Sequence, residues 1–168
     1  MAMLVNFKGN PVCLEGVVPV VGYPAPPFIL TATNMVPVTL QNFAGKVLVL
    51  VTVPSLDTPV CDMEVRRFNT EAAALGSNVC IAAVSCDLPF AQARWCGAAG
   101  IQSVVTLSDY RDGNFGRSYG VRISELALEA RAIFVIDASG VLRYTQVVPE
   151  VTQEPDYAAA LEAIRALL

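Results

Sequence analysis

The 168-residue chain contains no histidine. That absence excludes Cys–His and Ser–His nucleophile pairs, and with them His-ligated zinc and haem sites. An activated thiol in this chain would have to draw on arginine, backbone amides or a helix dipole. The five cysteines, at positions 13, 61, 80, 86 and 96, include no Cys-x-x-Cys pair, so neither a zinc knuckle nor a vicinal dithiol motif is present. There is no Lys/Arg cluster and the net charge is -4, which argues against a nucleic-acid backbone or an anionic membrane as partner. The longest apolar run, Val47 to Pro54, is too short to span a bilayer and fits a buried strand. The N-terminus lacks a basic region, and Asn10-Pro11, Glu15 and Pro19 break its apolar residues, so no signal peptide is expected. An odd cysteine count and no signal make a reducing cytoplasm the expected setting. Nothing repeats and no tract is of low complexity. At 54% hydrophobic content, the expectation is one domain spanning residues 1–168.

What is present reads as alternating strands and helices. Leu4 to Phe7 and Pro11 to Leu14 flank Lys8-Gly9-Asn10 as an N-terminal hairpin. A proline-rich connector over 17–27 leads to a candidate strand at Phe28 to Leu30 and a loop through Asn34. From Gly45 the pattern predicts strand 47–53, helix 59–75, strand 79–85, helix 88–96, strand 103–107 and a short helix near 113–119. Two more strands, Ala132 to Asp137 and Val141 to Val148, are joined by the turn Ala138-Ser139-Gly140. Pro155 is expected to open a last helix with apolar positions Tyr157, Leu161, Ile164 and Leu168. Continuous Val/Ile/Leu strands separated by helices imply a sheet covered on both faces, and the late hairpin makes that sheet mixed.

The chemistry concentrates in Val51 to Cys61, where an apolar strand runs into a turn and delivers a cysteine. Thr58 is a good N-cap and Pro59 suits the first helical position, which places Cys61 at N3. Unsatisfied amides and the positive end of the helix dipole favour a thiolate there. A structural role is equally open on these residues alone, because Cys61 begins the stripe Cys61, Val65, Phe68, Ala72, Leu75 at helical spacing.

Pro54-Ser55-Leu56-Asp57-Thr58-Pro59-Val60-Cys61 resembles the Pro-x-x-x-Thr-x-x-Cys active-site motif of peroxiredoxins. Asn42 to Lys46, Asp87 to Gln92, Arg94-Trp95-Cys96-Gly97 and Glu154 to Tyr157 are similar to the thiol peroxidase family, an atypical two-cysteine branch. The resemblance covers essentially the whole chain. It implies an α/β thioredoxin-like fold, a central mixed β-sheet flanked by helices, with the N-terminal β-hairpin added. It also implies a thiol-dependent peroxidase acting on hydrogen peroxide and organic hydroperoxides. Cys61 would be the peroxidatic thiolate, Thr58 would orient the peroxide, and Pro54 would shield the site from water. Arg131, which on sequence alone passes for a surface charge at a strand start, would stabilise both the thiolate and the leaving oxygen. Cys96 would resolve the Cys61 sulfenic acid as an intramolecular disulfide, on a short helix capped by Asp87 and ended by Gly97, after partial unwinding of both helices. Trp95 beside it would report the event by fluorescence.

Cys80 competes with Cys96 for the resolving role, whereas Cys13 and Cys86 match no catalytic position. Asp57 is expected to point outward, since a carboxylate would disfavour a neighbouring thiolate. The resemblance departs at Asp62-Met63-Glu64 and at Ser124 to Glu129, which border the expected substrate entrance. Thioredoxin or an equivalent dithiol protein is the implied reductant and a homodimer the implied assembly, with no metal, haem or selenium cofactor. A non-enzymatic peroxide sensor using the same disulfide is the alternative, and multiple turnover separates the two. A thiol-disulfide oxidoreductase of the same fold is disfavoured because no Cys-x-x-Cys exists.

Overall fold

The computed structural model describes residues 2–168. The chain opens with the hairpin β1 (Leu4–Phe7) and β2 (Asn10–Glu15), turned through Lys8 and Gly9, both at positive φ. After the proline-rich connector come β3 (Ile29–Ala32), β4 (Pro37–Thr39) and a 3-10 turn over Leu40–Phe43. The regular part follows as β5 (Val47–Thr52), α1 (Pro59–Leu75), β6 (Val79–Ser85), α2 (Pro89–Ala99) and β7 (Val104–Ser108). Then come α3 (Asn114–Ser118), the short β8 (Arg122–Ile123) and β9 (Leu128–Glu129), β10 (Ala132–Ile136), β11 (Leu142–Val147) and α4 (Tyr157–Arg165).

Seven strands form the central sheet in the order β11-β10-β5-β6-β7-β3-β4. The β5, β6 and β7 strands are parallel, and β10 and β3 join them antiparallel on either side. All six residues of β5 are buried, because both faces of the sheet are covered and a strand between them has no solvent side. Alternation then sorts its side chains. Val47, Val49, Val51 and Val53 pack into a core shared with α1, α2 and α4, while Leu48 and Leu50 pack with Leu14, Phe115, Tyr119 and Ile123 on the other face.

The two covers differ. One face carries three helices. The other carries α3 and a four-stranded sheet, β1-β2-β8-β9, in which the N-terminal hairpin pairs with two strands too short to show in the sequence pattern. The last helix also starts later than expected. Pro155 stays outside it, and Asp156 caps it by accepting from the Ala159 amide at 3.0 Å. Leu168 falls beyond the helix and is exposed, so only Tyr157, Leu161 and Ile164 of the expected stripe are buried.

Candidate active site

The loop between β5 and α1 lies at the C-terminal edge of the parallel strands, where α/β sheets place their ligands. Pro54 and Leu56 are buried in it. Asp87 pins it from just past β6: Ser55 Oγ donates to Asp87 Oδ1 at 2.7 Å and the Leu56 amide to Oδ2 at 2.8 Å. Ser85 Oγ reaches the same carboxylate at 2.7 Å. Asp87 therefore organises the active loop, and the expectation that it caps α2 is incorrect. Leu88 occupies that N-cap without any side-chain bond. Thr58 does hold the extended N-cap conformation of α1, yet its hydroxyl donates to the Ser55 carbonyl at 2.9 Å and makes no cap bond. Its oxygen keeps accepting capacity for another donor. Asp57 is exposed and lies 3.9 Å from Arg94, pointing outward as expected.

Cys61, at the third position of α1, is fully buried. Register delivers its partner. Ala132 of β10 pairs with Thr52 of β5, so Arg131 sits beside the loop, on the same side of its strand as Ile133, facing the helices. Arg131 is only 2% exposed, against the surface charge that sequence alone suggests. Each arm of its guanidinium is used. Nη2 donates to Cys61 Sγ at 3.3 Å, Nη1 to Glu64 Oε2, and Nε to the Val151 carbonyl at 3.0 Å. Burial opposes the arginine's charge, but Glu64 and Cys61 outweigh it and hold its pKa above the ordinary value. Glu64 is wholly buried, and burial pushes its carboxyl up to about 7 despite Arg131. Its Oε1 has no hydrogen-bond partner among the described residues. One fixed positive charge thus faces a thiol and a carboxyl, in a buried site where electrostatic interactions are strong.

Glu64 escaped the sequence reading, which placed it at a substrate entrance. It is inside, beneath Arg131, and the available signal was its i+3 spacing from Cys61 on one helix face. Asp62 is half-buried, and its Oδ1 accepts from Trp95 Nε1 at 2.8 Å and its Oδ2 from Arg66 Nε at 2.8 Å. Glu129, in the second departing segment, is buried against Cys86.

All five cysteines are free. Cys96 lies inside α2, which runs through Gly97 and ends at Gly100, whose φ is 67°. It is half-buried, packs with the Cys61 core, and its Sγ is 3.5 Å from Thr106 Oγ1 of β7. Arg131 immediately precedes β10, and β5 and β6 separate β10 from β7. The two sulfurs therefore have different partners, Arg131 beside β10 for Cys61 and Thr106 of β7 for Cys96. Cys80 packs on the opposite face, near the N-terminal end of β6, whereas Cys61 sits at the C-terminal edge of the sheet. Cys86, just past β6, bonds Arg122 and Glu129. Among the described residues no three His, Cys, Asp or Glu side chains converge as a metal site, and no helix is long and apolar enough to cross a membrane.

Residues 20–161 match the Redoxin family. The chain is 51% identical over 164 residues to the thiol peroxidase of Halalkalibacterium halodurans, covering 98% of each chain. It is 48% identical to that of Bacillus subtilis with the same coverage. Among solved structures, a peroxiredoxin-like protein from Aquifex aeolicus superposes with a TM-score of 0.92 at 41% identity, covering 100% of this chain and 99% of its own. The mixed sheet with its helices is thus a thioredoxin-like fold. With a buried thiol, an arginine on its sulfur and relatives of this similarity along nearly its whole length, the chain belongs to the thiol peroxidase family and is an enzyme of thiol-dependent peroxide reduction.

Proposed function

We propose that Cys61 is the peroxidatic nucleophile, with Cys96 as its resolving partner. The observation that carries this reading is the bond from Arg131 Nη2 to Cys61 Sγ, 3.3 Å long, at the start of α1. The arginine's fixed charge and the free amides of the first helical turn favour the thiolate. Thr58 has its hydroxyl proton committed to Ser55, so its oxygen accepts the O–H of an incoming hydroperoxide and aims the terminal oxygen at the sulfur. Pro54, which carries no N–H, closes the loop side of the site.

The sulfur then attacks the terminal oxygen of ROOH. An S–O bond forms, the O–O bond breaks, and RO⁻ leaves to take up a proton as ROH. Arg131 stabilises the charge on the departing oxygen. The Cys61 sulfenic acid is next attacked by the Cys96 sulfur, which releases water and forms the disulfide. A dithiol protein of the thioredoxin kind returns both thiols, in a reducing cytoplasm and with the enzyme as a homodimer. Hydrogen peroxide and small organic hydroperoxides are the substrates of this reading.

Non-reducing peptide mapping after one equivalent of hydrogen peroxide tests it. A Cys61–Cys96 peptide pair is expected. A pair joining Cys61 to Cys80 or Cys86 would remove Cys96 from its role, and a Cys61 left reduced would remove the nucleophile. Sustained turnover with thioredoxin, its reductase and NADPH checks the reductant.

A further inference from the structure

Cys61 Sγ is held by Arg131, just before β10, and Cys96 Sγ lies against Thr106 of β7, whereas a disulfide needs an S–S distance of about 2 Å. Something in the reduced fold must therefore let go before the bond can form. A stripe on α1 holds the two helices together. Asp62, Arg66 and Asn69 stand at i, i+4 and i+7, on one face of the helix. Asp62 Oδ1 accepts from Trp95 Nε1 at 2.8 Å. Arg66 Nη1 donates to the Ala99 carbonyl at 3.4 Å, and its guanidinium lies 5.9 Å from the Trp95 ring centre. Asn69 Oδ1 accepts from the amides of Ser103 at 2.8 Å and Gln102 at 3.3 Å, just past α2. These bonds bracket Cys96 on both sides, and Asp62 and Trp95 are the immediate neighbours of the two cysteines.

Elsewhere α2 is thinly held. Its N-cap makes no side-chain bond, and its buried residues are Pro89, Gln92 and Trp95. Leu88 and Phe90 at its start are 53% and 67% exposed. Gln92 ties the first half of the helix to Ser85 and to the Leu107 carbonyl. The half that carries Cys96 is held by the α1 stripe, the packing of Trp95, and the partly buried Cys96 and Ala99, with Cys96 Sγ against Thr106. Few buried contacts and solvent-facing backbone bonds are what make a segment open locally.

We propose that Asp62, Arg66 and Asn69 form a clasp on the Cys96 half of α2 and are positioning residues for disulfide closure. The proposal rests on the Cys61–Cys96 reading above. The clasp sets how fast Cys96 reaches oxidised Cys61, and so decides between two fates of the sulfenic acid. In one, Cys61–SOH and Cys96–SH give the disulfide and water. In the other, Cys61–SOH and a second ROOH give the sulfinic acid and ROH. A tight clasp lengthens the life of the sulfenic acid and favours the second fate at high peroxide.

The test is single-turnover oxidation of Asp62→Ala and Asn69→Ala beside the parent chain. It is read by the fluorescence of Trp95, the one tryptophan in the sequence, and by acid quench, thiol alkylation and intact mass. Losing a hydrogen bond present only in the closed clasp should speed closure about fivefold in each variant. The sulfinic fraction at excess peroxide should fall by a similar factor, while the first oxidation step of Asn69→Ala stays within about twofold of the parent. Asp62→Asn keeps an acceptor for the indole and should close within about twofold of the parent, a rescue that loosened packing would not give. Should an alanine variant fail to fold, Arg66→Ala, at a side chain 48% exposed, carries the same expectation. Unchanged or slower closure in the folded variants, with Cys61 and Cys96 still pairing, overturns the clasp alone. A parent chain whose Cys61 consumes no peroxide overturns the clasp and the peroxidase reading together.

Discussion

The central sheet carries a cysteine, arginine and glutamate trio on each of its faces, fully buried on the helical face and with Cys86 and Arg122 half-buried on the other. On the helical face Arg131 donates to Cys61 at 3.3 Å and also pairs with Glu64. On the other face Arg122 donates to Cys86 at 3.1 Å and lies 3.8 Å from Glu129. The difference is where the carboxyl sits. Glu64 bonds the arginine, whereas Glu129 Oε1 also accepts from the Cys86 thiol at 3.3 Å. Burial and then Glu129 push the Cys86 thiol up, so it keeps its proton. Asp109 is close by, and burial together with that second carboxyl raises Glu129 itself. Cys86 also stands past the end of a strand, with none of the free amides that the start of α1 offers Cys61. An arginine on the Cys86 sulfur is therefore not enough to offset burial and the neighbouring carboxylate. Cys61 differs in standing at a helix start and in having its neighbouring carboxyl bonded to the arginine instead of the sulfur.

The largest break in this symmetry is expected from the sulfurs. Cys61→Ser should abolish peroxide turnover, measured by NADPH consumption in a thioredoxin-coupled assay, and Cys86→Ser should leave it unchanged. Turnover surviving in the first variant would end the assignment. The arginines come next. Arg131→Met should lower kcat/KM about 10²–10³-fold, the usual loss for one donor on a developing oxyanion. Arg122→Met should leave kcat/KM alone and lower stability by about 1–3 kcal/mol, because Cys86 and Glu129 lose a buried partner. A crossed result, with Arg122→Met slowing catalysis, would show that both trios serve one site.

How much of this the sequence carries depends on the range of the interactions. The strands and helices from 47 to 108 repeat locally and were legible, as was Cys61 at a helix start. The β8 and β9 strands were not, because two-residue strands exist only by pairing with β2. Arg131 was legible only through the family motif, since its burial depends on the register of β10 against β5. Glu64 was misplaced for the same reason: a charged residue on a helix is normally solvated, and only an arginine from a strand about 70 residues away changes that. Asp87 looked like a cap because Asp before a helix usually is one, and a loop 30 residues upstream claimed both oxygens instead.

Glu64 also gives the comparison a pH signature. Its carboxyl moves from 4.5 to about 7 on folding. Below about pH 4.5 it is protonated in both states and favours neither. As the pH rises toward 7 the unfolded chain releases the proton and the folded one retains it, so the fold loses stability across that window, by about 3 kcal/mol for a shift of this size. Glu64→Gln removes the titration, and the stability difference between variant and parent should grow in the variant's favour from pH 4.5 to pH 7. Urea unfolding at both pH values measures it. A difference that stays flat would mean that Glu64 is ionised throughout, held by Arg131 against its burial.

The smallest effect belongs to the other face. Glu129→Gln replaces a carboxyl with a neutral amide that still has an oxygen to accept from the Cys86 thiol. It removes the charge of Glu129 but leaves burial, the larger cause of the raised Cys86 pKa, in place. Cys86 should therefore gain reactivity toward iodoacetamide by less than about tenfold in the native protein at pH 8, far short of an activated thiolate. A gain of several hundredfold would show that the carboxyl alone silences Cys86. The helix start beneath Cys61 would then contribute little beyond what Arg131 supplies, and the two faces would differ by a single side chain.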